Sequence, residues 1–205
     1  MKITGIEQRR KGLCCVKADG EEFLINSDTV AKAALKEGDE ISGERMEQLL
    51  SESDYQRAKS RALWYLSRGE HTCHALYTKL CRAFPPQAAQ SAVDRMCELG
   101  LLDDLRYARN AAETLAAANI SGREILRKLF VKGVPNEIAK QAVEELSPDA
   151  ASQIAALLQH KYFRQLESED GVQKVYAALL RKGFSYSDVK SALREYSEKL
   201  DNCEE

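Results

Sequence analysis

Residues 123–146 read REILRKLFVKGVPNEIAKQAVEEL, and they decide the fold. Ile125, Leu126, Leu129 and Phe130 recur at the spacing of one helical face. Gly133 ends that helix, because glycine enters the left-handed C-cap conformation without a Cβ penalty. Val134 and Pro135 make a corner, and Pro135 is placed to open the next helix. Ile138, Ala139, Ala142, Val143 and Leu146 form the apolar face of that helix. Fifty residues to either side the pattern recurs, aligning Leu76/Leu126/Tyr176, Leu80/Phe130/Leu180, Arg82/Lys132/Lys182 and Phe84/Val134/Phe184. Ala92/Ala142/Ala192, Val93/Val143/Leu193 and Met96/Leu146/Tyr196 follow in the same step. A small residue kept among large apolar ones is a packing constraint repeated three times. The sequence therefore predicts a mostly α fold, an elongated and curved array of three tandem three-helix repeats.

Ahead of the array lies a different pattern. Residues 2–26 alternate as strands do, and Asp19-Gly20 is a hairpin turn signal. Ser27 or Asp28 is placed to cap a short helix over 29–36, ended by Gly38, and a second short helix is expected over 44–50. This predicts a small α+β unit over residues 1–54, with the polar SESD at 51–54 as its hinge. Repeat 1 then spans 55–100, repeat 2 spans 101–147, and repeat 3 spans 148–205 with a frayed acidic tail, DNCEE. Phe84-Pro85-Pro86 ends the middle helix of repeat 1, since a residue before proline is pushed out of helical geometry. Ser147-Pro148-Asp149 supplies cap and proline for repeat 3, and stacked units are expected to share a core between neighbours.

The net charge of −2 divides unevenly: −4 over 1–54, +4 over 55–146 and −2 over 147–205. The positive excess in the first two repeats permits contact with nucleic acid or an acidic protein face, but a dedicated DNA binder is usually more basic. No apolar run approaches 18 residues and the N-terminus lacks a signal-peptide core, which points to the cytoplasm and to reduced cysteines. His71, His74 and Cys81 resemble a metal set, but no second ligand pair follows, and small, partly buried cysteines account for the pattern better. Three histidines give no nucleophile–base pair, and no phosphate-binding or dinucleotide-binding glycine pattern occurs. Asp103-Asp104 reads as helix capping. No enzyme activity and no cofactor are expected.

The basic residues ahead of each corner remain: Arg82, Lys132 and Lys182, with Lys79, Arg127, Lys128 and Arg181 nearby. Cations in a last helical turn are favoured by the macrodipole alone, by about 0.3–1 kcal/mol each. The functional reading is a strip of cations offered to phosphates or carboxylates, extended by Arg57, Arg61 and Arg68 with Lys59 on the first helix. Trp64 beside them reads first as core and second as an interface anchor.

The stretches ALWYLSRGEHTCHALYTKL (62–80), LGLLDDLRYARN (99–110), LRKLFVKGVPNEIAKQAV (126–143) and LLRKGFSYSDVKSAL (179–193) resemble the RecX family of bacterial regulatory proteins. Gly-Leu-Leu-Asp-Asp followed by two Lys-Gly-apolar corners in this order is the specific signature. The likeness covers about 55–200, with departures at Glu70-His71-Thr72 and Ala75, and a loop at 118–123 less basic than the family's. The resemblance implies a monomeric protein that lies in the groove of the RecA recombinase filament on single-stranded DNA and bridges neighbouring protomers. It implies reduced ATPase, strand exchange and co-protease activity, in recombination, DNA repair and the SOS response, with weak direct DNA binding in some members. The competing reading is a nucleic-acid-binding solenoid that acts on recombination indirectly.

Overall fold

The computed structural model describes residues 1–9, 12–166, 168 and 170–201, with side chains described only up to residue 198. The acidic tail beyond 201 lies outside the described residues. The chain divides between Asp103 and Asp104 into two compact units.

The first unit opens with an antiparallel sheet in the order β1 (Ile3–Arg9), β2 (Leu13–Ala18), β3 (Glu21–Asn26). Asp19 and Gly20 both take positive φ, 50° and 85°, which is the two-residue turn whose twist matches the flanking strands. Ile3, Cys14, Val16, Ala18 and Ile25 bury one face against Val30, Met46 and Leu49. The first helix, α1 (Ser27–Lys32), starts and ends earlier than expected. Asn26, not Ser27 or Asp28, is its cap, with Oδ1 accepting from the Asp28 N–H at 2.8 Å, and the chain turns out of it at Ala34, φ 51°.

The expected hinge is no hinge. One helix of 24 residues, α2 (Gly43–Leu66), runs through SESD, so the boundary at 54 falls inside it. Polar residues without glycine or proline do not break a helix, and here they are used: Ser53 is fully buried and its Oγ accepts from the Asn26 N–H at 2.8 Å. Asp54 pairs with Arg57 one turn on, at 3.1 Å. The helix thus packs on the sheet at its start and supplies the first helix of repeat 1 at its end.

Repeat 1 is completed by α3 (Cys73–Leu80) and α4 (Pro86–Glu98). The second unit holds repeat 2, α5 (Asp104–Ala117), α6 (Gly122–Val131) and α7 (Asn136–Leu146), followed by repeat 3. Repeat 3 begins with α8 (Ala150–Leu157), which passes through a π-helical stretch (Leu158–Tyr162) into α9 (Phe163–Leu166). It closes with α10 (Gly171–Arg181) and α11 (Tyr186–Asp201). Ser147 does not cap repeat 3. It ends α7 in the left-handed conformation, its Oγ donating to the Glu144 carbonyl at 2.6 Å, and Asp149 caps α8 through the Ala151 and Ser152 N–H groups.

The fifty-residue register holds for the third helix of each repeat but slips by one in the middle helix of repeat 1. Leu76 and Leu80 are buried there, whereas Ile125 and Leu129 are the buried pair of α6, followed by Val175 and Leu179 in α10. Phe130, read as inward, is 71% exposed. The cause is the corner. The Val134 and Phe184 N–H groups reach five residues back, to Leu129 and Leu179, over Gly133 and Gly183 at positive φ. The Phe84 N–H reaches only four back, to Leu80, and no glycine stands before it. Repeat 1 therefore turns one residue sooner.

Each repeat has a core of its own, and within the second unit the described residues of repeats 2 and 3 form two clusters rather than one. Ala58, Ala62, Leu76, Ala92 and Met96 cluster in repeat 1, Ala108, Ile125, Leu129 and Ala142 in repeat 2, and Ile154, Leu158, Val175 and Leu179 in repeat 3. Repeats 2 and 3 are joined instead by polar contacts at the α5–α6 turn. Lys182 Nζ donates to the Ala118 and Asn119 carbonyls at 3.1 and 3.3 Å, and the Lys182 carbonyl accepts from the Ser121 N–H at 3.2 Å.

Candidate partner-binding surfaces

On the first unit, the expected cations gather around aromatic rings. Arg57 lies over the Phe84 ring at 5.5 Å, and Arg61 and Arg68 flank the Trp64 ring at 5.5 and 4.1 Å. Trp64 is 43% exposed, so it belongs to the surface and not to the core. Position along α2 explains it: Ala58 and Ala62 take the buried face, and Trp64 falls on the other side. Arg57, Arg61, Trp64 and Phe84, with Leu13 and Asn26 of the sheet, line one open depression. Lys79 covers the Tyr65 ring at 5.1 Å and lies 3.4 Å from His71 Nε2. Burial, then the Lys79 charge, holds the His71 imidazole below its ordinary pKa, and its ring packs edge-on against Tyr65. Arg82 is exposed one residue beyond Cys81, the C-cap of α3.

On the second unit, Ser121 caps α6: its Oγ accepts from the Glu124 N–H at 3.3 Å. Glu124 also takes Arg127 in two hydrogen bonds of 2.7 Å, with Lys128 at 3.8 Å. The Arg127 hydrogen bond is the main reason its carboxyl lies below the ordinary carboxylate range. Arg127 remains 62% exposed, and such a surface pair is worth only about 0–1 kcal/mol, so an incoming anion can compete for the guanidinium. Arg123, Arg127 and Arg181 line a cleft with Leu180 and Tyr186. Tyr186 is 65% exposed and braced edge-on by Tyr176, ring centroids 5.5 Å apart. Phe130 and Val131, exposed at 71% and 69%, extend the apolar surface at the end of α6, beside its C-cap residue Lys132.

Lys182 differs from the other expected contacts. Its ammonium is held by two backbone carbonyls, and burial, reinforced by Lys161, lowers its pKa from the ordinary lysine value. It closes the turn between repeats 2 and 3. Sequence spacing could not separate it from Arg82, because both precede a corner. Phe84, Arg123, Phe130 and Tyr186 were absent from the expected contact set. An aromatic at a helix start, Tyr186, was the sequence signal available for one of them.

Among the described residues, no three His, Cys, Asp or Glu side chains converge as a metal site, and no helix is long and apolar enough to cross a membrane.

These three-helix units have known counterparts. Residues 58–96 match the pattern described as "RecX, first three-helix domain", and 149–193 match "RecX, third three-helix domain". The "Regulatory protein RecX" of Prosthecochloris aestuarii is 33% identical over 148 residues, covering 71% of this chain and 97% of that protein. The chain belongs to the RecX family. The RecX of Clostridioides difficile is 28% identical over 200 residues, 94% of each chain. A crystal structure of regulatory protein RecX superposes with a TM-score of 0.68 at 24% identity, over 94% of this chain and 98% of that one, which supports the fold. RecX relatives are named as regulatory proteins, and a regulatory role fits this chain.

Proposed function

We propose that this chain is a non-enzymatic regulator that binds the RecA recombinase filament on single-stranded DNA, in its groove and across protomers. Its effect is to inhibit DNA-dependent ATP hydrolysis, strand exchange and co-protease activity. The observation that carries this reading is the same on both units: cations set against exposed aromatic or apolar side chains. Arg61, Arg68 and Trp64 form one such group, and Arg127, Arg181 and Tyr186 form another. Depressions with an aromatic anchor and arginines at the rim are the chemistry of protein interface hot spots. Several modest contacts on one chain reinforce one another, because each later one is effectively intramolecular. A regulator that restrains neighbouring protomers opposes the subunit motions that nucleotide turnover requires. Lys79, Arg82, Lys128 and Lys132 belong to the proposed contact set with Arg57. Lys182 is placed outside it because its ammonium is engaged within the fold.

One observation favours the second reading, direct binding to a single strand. Trp64 between two guanidinium groups has the make-up of a base-stacking platform. Co-sedimentation with preformed filaments and with bare single strands, at rising salt, separates the two. Charge reversal at Arg61 and Arg68, or at Arg127 and Arg181, is expected to weaken filament binding at least tenfold with bare-DNA binding weak throughout. Loss of bare-strand binding in parallel, at the same protein concentration, would favour the solenoid reading, and unchanged filament binding would remove these residues from the contact.

A further inference from the structure

The cysteines read as small, partly buried residues, and Cys14 and Cys15 lie buried in the sheet. Two other thiols behave differently. Cys73, the first residue of α3, and Cys97, in the last turn of α4, bring their sulfurs to 3.5 Å across the packed helices of repeat 1. We propose that Cys73 and Cys97 are a modification site, a dithiol that a peroxide converts reversibly to a disulfide.

Three features of the site support this. First, the sulfurs are already in contact, and an approach of about 1.5 Å brings them to the ~2 Å of a disulfide. Second, Cys97 is exposed and Cys73 partly so, which gives an oxidant access. Third, Cys73 stands in the first turn of α3, capped by the buried Thr72, whose Oγ1 accepts from the Ala75 N–H at 3.1 Å. Helix N-terminal N–H groups favour a negative sulfur, and the thiolate is the attacking species. Cys81, also partly exposed, lies one helix-end away and interacts with the Tyr77 hydroxyl instead.

The chemistry balances with peroxide as oxidant. One thiolate attacks a peroxide oxygen, breaking the O–O bond and leaving a sulfenic acid and, after protonation, water. The second thiolate attacks the sulfenic sulfur, forming the S–S bond and releasing hydroxide, which takes a proton to become a second water. Two thiols and one hydrogen peroxide thus give one disulfide and two waters. A cytosolic thiol pool reverses the step, so the bond marks oxidative exposure rather than the resting state. The closed loop spans 24 residues and ties the start of α3 to the end of α4, which restricts the unfolded chain and stiffens repeat 1.

The test treats the purified full chain with equimolar hydrogen peroxide, blocks remaining thiols by alkylation and maps peptides without reduction. The expected result is a dominant linked peptide joining Cys73 to Cys97, two hydrogens lighter and restored by dithiothreitol. It persists in Cys81→Ser and disappears in Cys73→Ser and Cys97→Ser, and the oxidised wild type melts several degrees higher than the reduced. Recovery of both cysteines as alkylated thiols or as separate sulfinic acids would overturn the proposal. So would linkage of either to Cys203 or to a second chain in equal yield. The wild-type map decides the question alone should either serine variant fail to fold.

Discussion

The corners of repeat 1 and repeat 3 join the equivalent pair of helices with different geometry and chemistry. At the third corner Gly183 takes φ 87° and sits where a Cβ would meet Ser121 Oγ at 2.5 Å and Glu124 Cβ at 2.6 Å. Lys182, just before it, donates to the carbonyls of the α5–α6 turn. At the first corner Ala83 keeps ordinary backbone, and Pro85 and Pro86 hand the chain to α4. Arg82 is exposed there, one residue beyond the C-cap of α3. Equivalent sequence positions therefore diverge in purpose. One corner joins repeats within the second unit, and the other leaves its cation exposed on the first.

The largest break in this comparison is expected at Gly183. Gly183→Ala forces a left-handed side-chain residue and a steric overlap with α6, costing about 2–4 kcal/mol in urea denaturation. Lys182→Met comes next. It keeps the stem but leaves the Ala118 and Asn119 carbonyls without their donor, at a loss of about 1–2 kcal/mol, while Arg82→Met is expected to change stability by less than about 0.5 kcal/mol. A loss at Arg82 equal to that at Lys182 would show the two corners to be alike. Ala83→Gly sharpens the contrast from the other side: without a positive φ to relieve, glycine there is expected to destabilise by about 0.5–1 kcal/mol. Stabilisation would mean that the first corner adopts the glycine geometry after all.

The smallest effect belongs to acid. Within repeat 2, the Arg109 guanidinium donates to both Glu145 oxygens at 2.7 and 2.9 Å, and Gln141 adds a third hydrogen bond at 2.9 Å. These hold the Glu145 carboxyl at about 2, against an ordinary 4.5. A depressed folded-state value means the stabilisation is complete above the ordinary carboxylate pKa and fades as pH falls through about 2. Glu145→Gln is therefore expected to flatten the fall of melting temperature between pH 4.5 and 2, with no change in its slope above that window.

Much of this was legible before any coordinates. Hairpin, repeat count and the helices of repeats 2 and 3 followed from Asp19-Gly20, from the glycine corners and from apolar spacing, because those signals are local. What escaped was set by tertiary contact. SESD looked like a hinge until Ser53 found the Asn26 N–H, and that single long-range bond accompanies a helix running straight through. Leu80 and Phe130 share a fifty-residue step, yet a one-residue difference in turn length buries the first and exposes the second. Trp64 was assigned to the core on general expectation and emerged between two arginines. Lys182 and Arg82 look the same in sequence because the carbonyls that hold Lys182 are more than sixty residues away.

The most direct measurement is the host recombinase's single-stranded-DNA-dependent ATP hydrolysis, titrated with this protein at concentrations too low to coat the DNA. Filament regulation predicts inhibition at a small ratio of protein to recombinase, weakened by charge reversal at Arg61 and Arg68. Inhibition that sets in only once the DNA itself is covered, or no inhibition at any ratio, would contradict it.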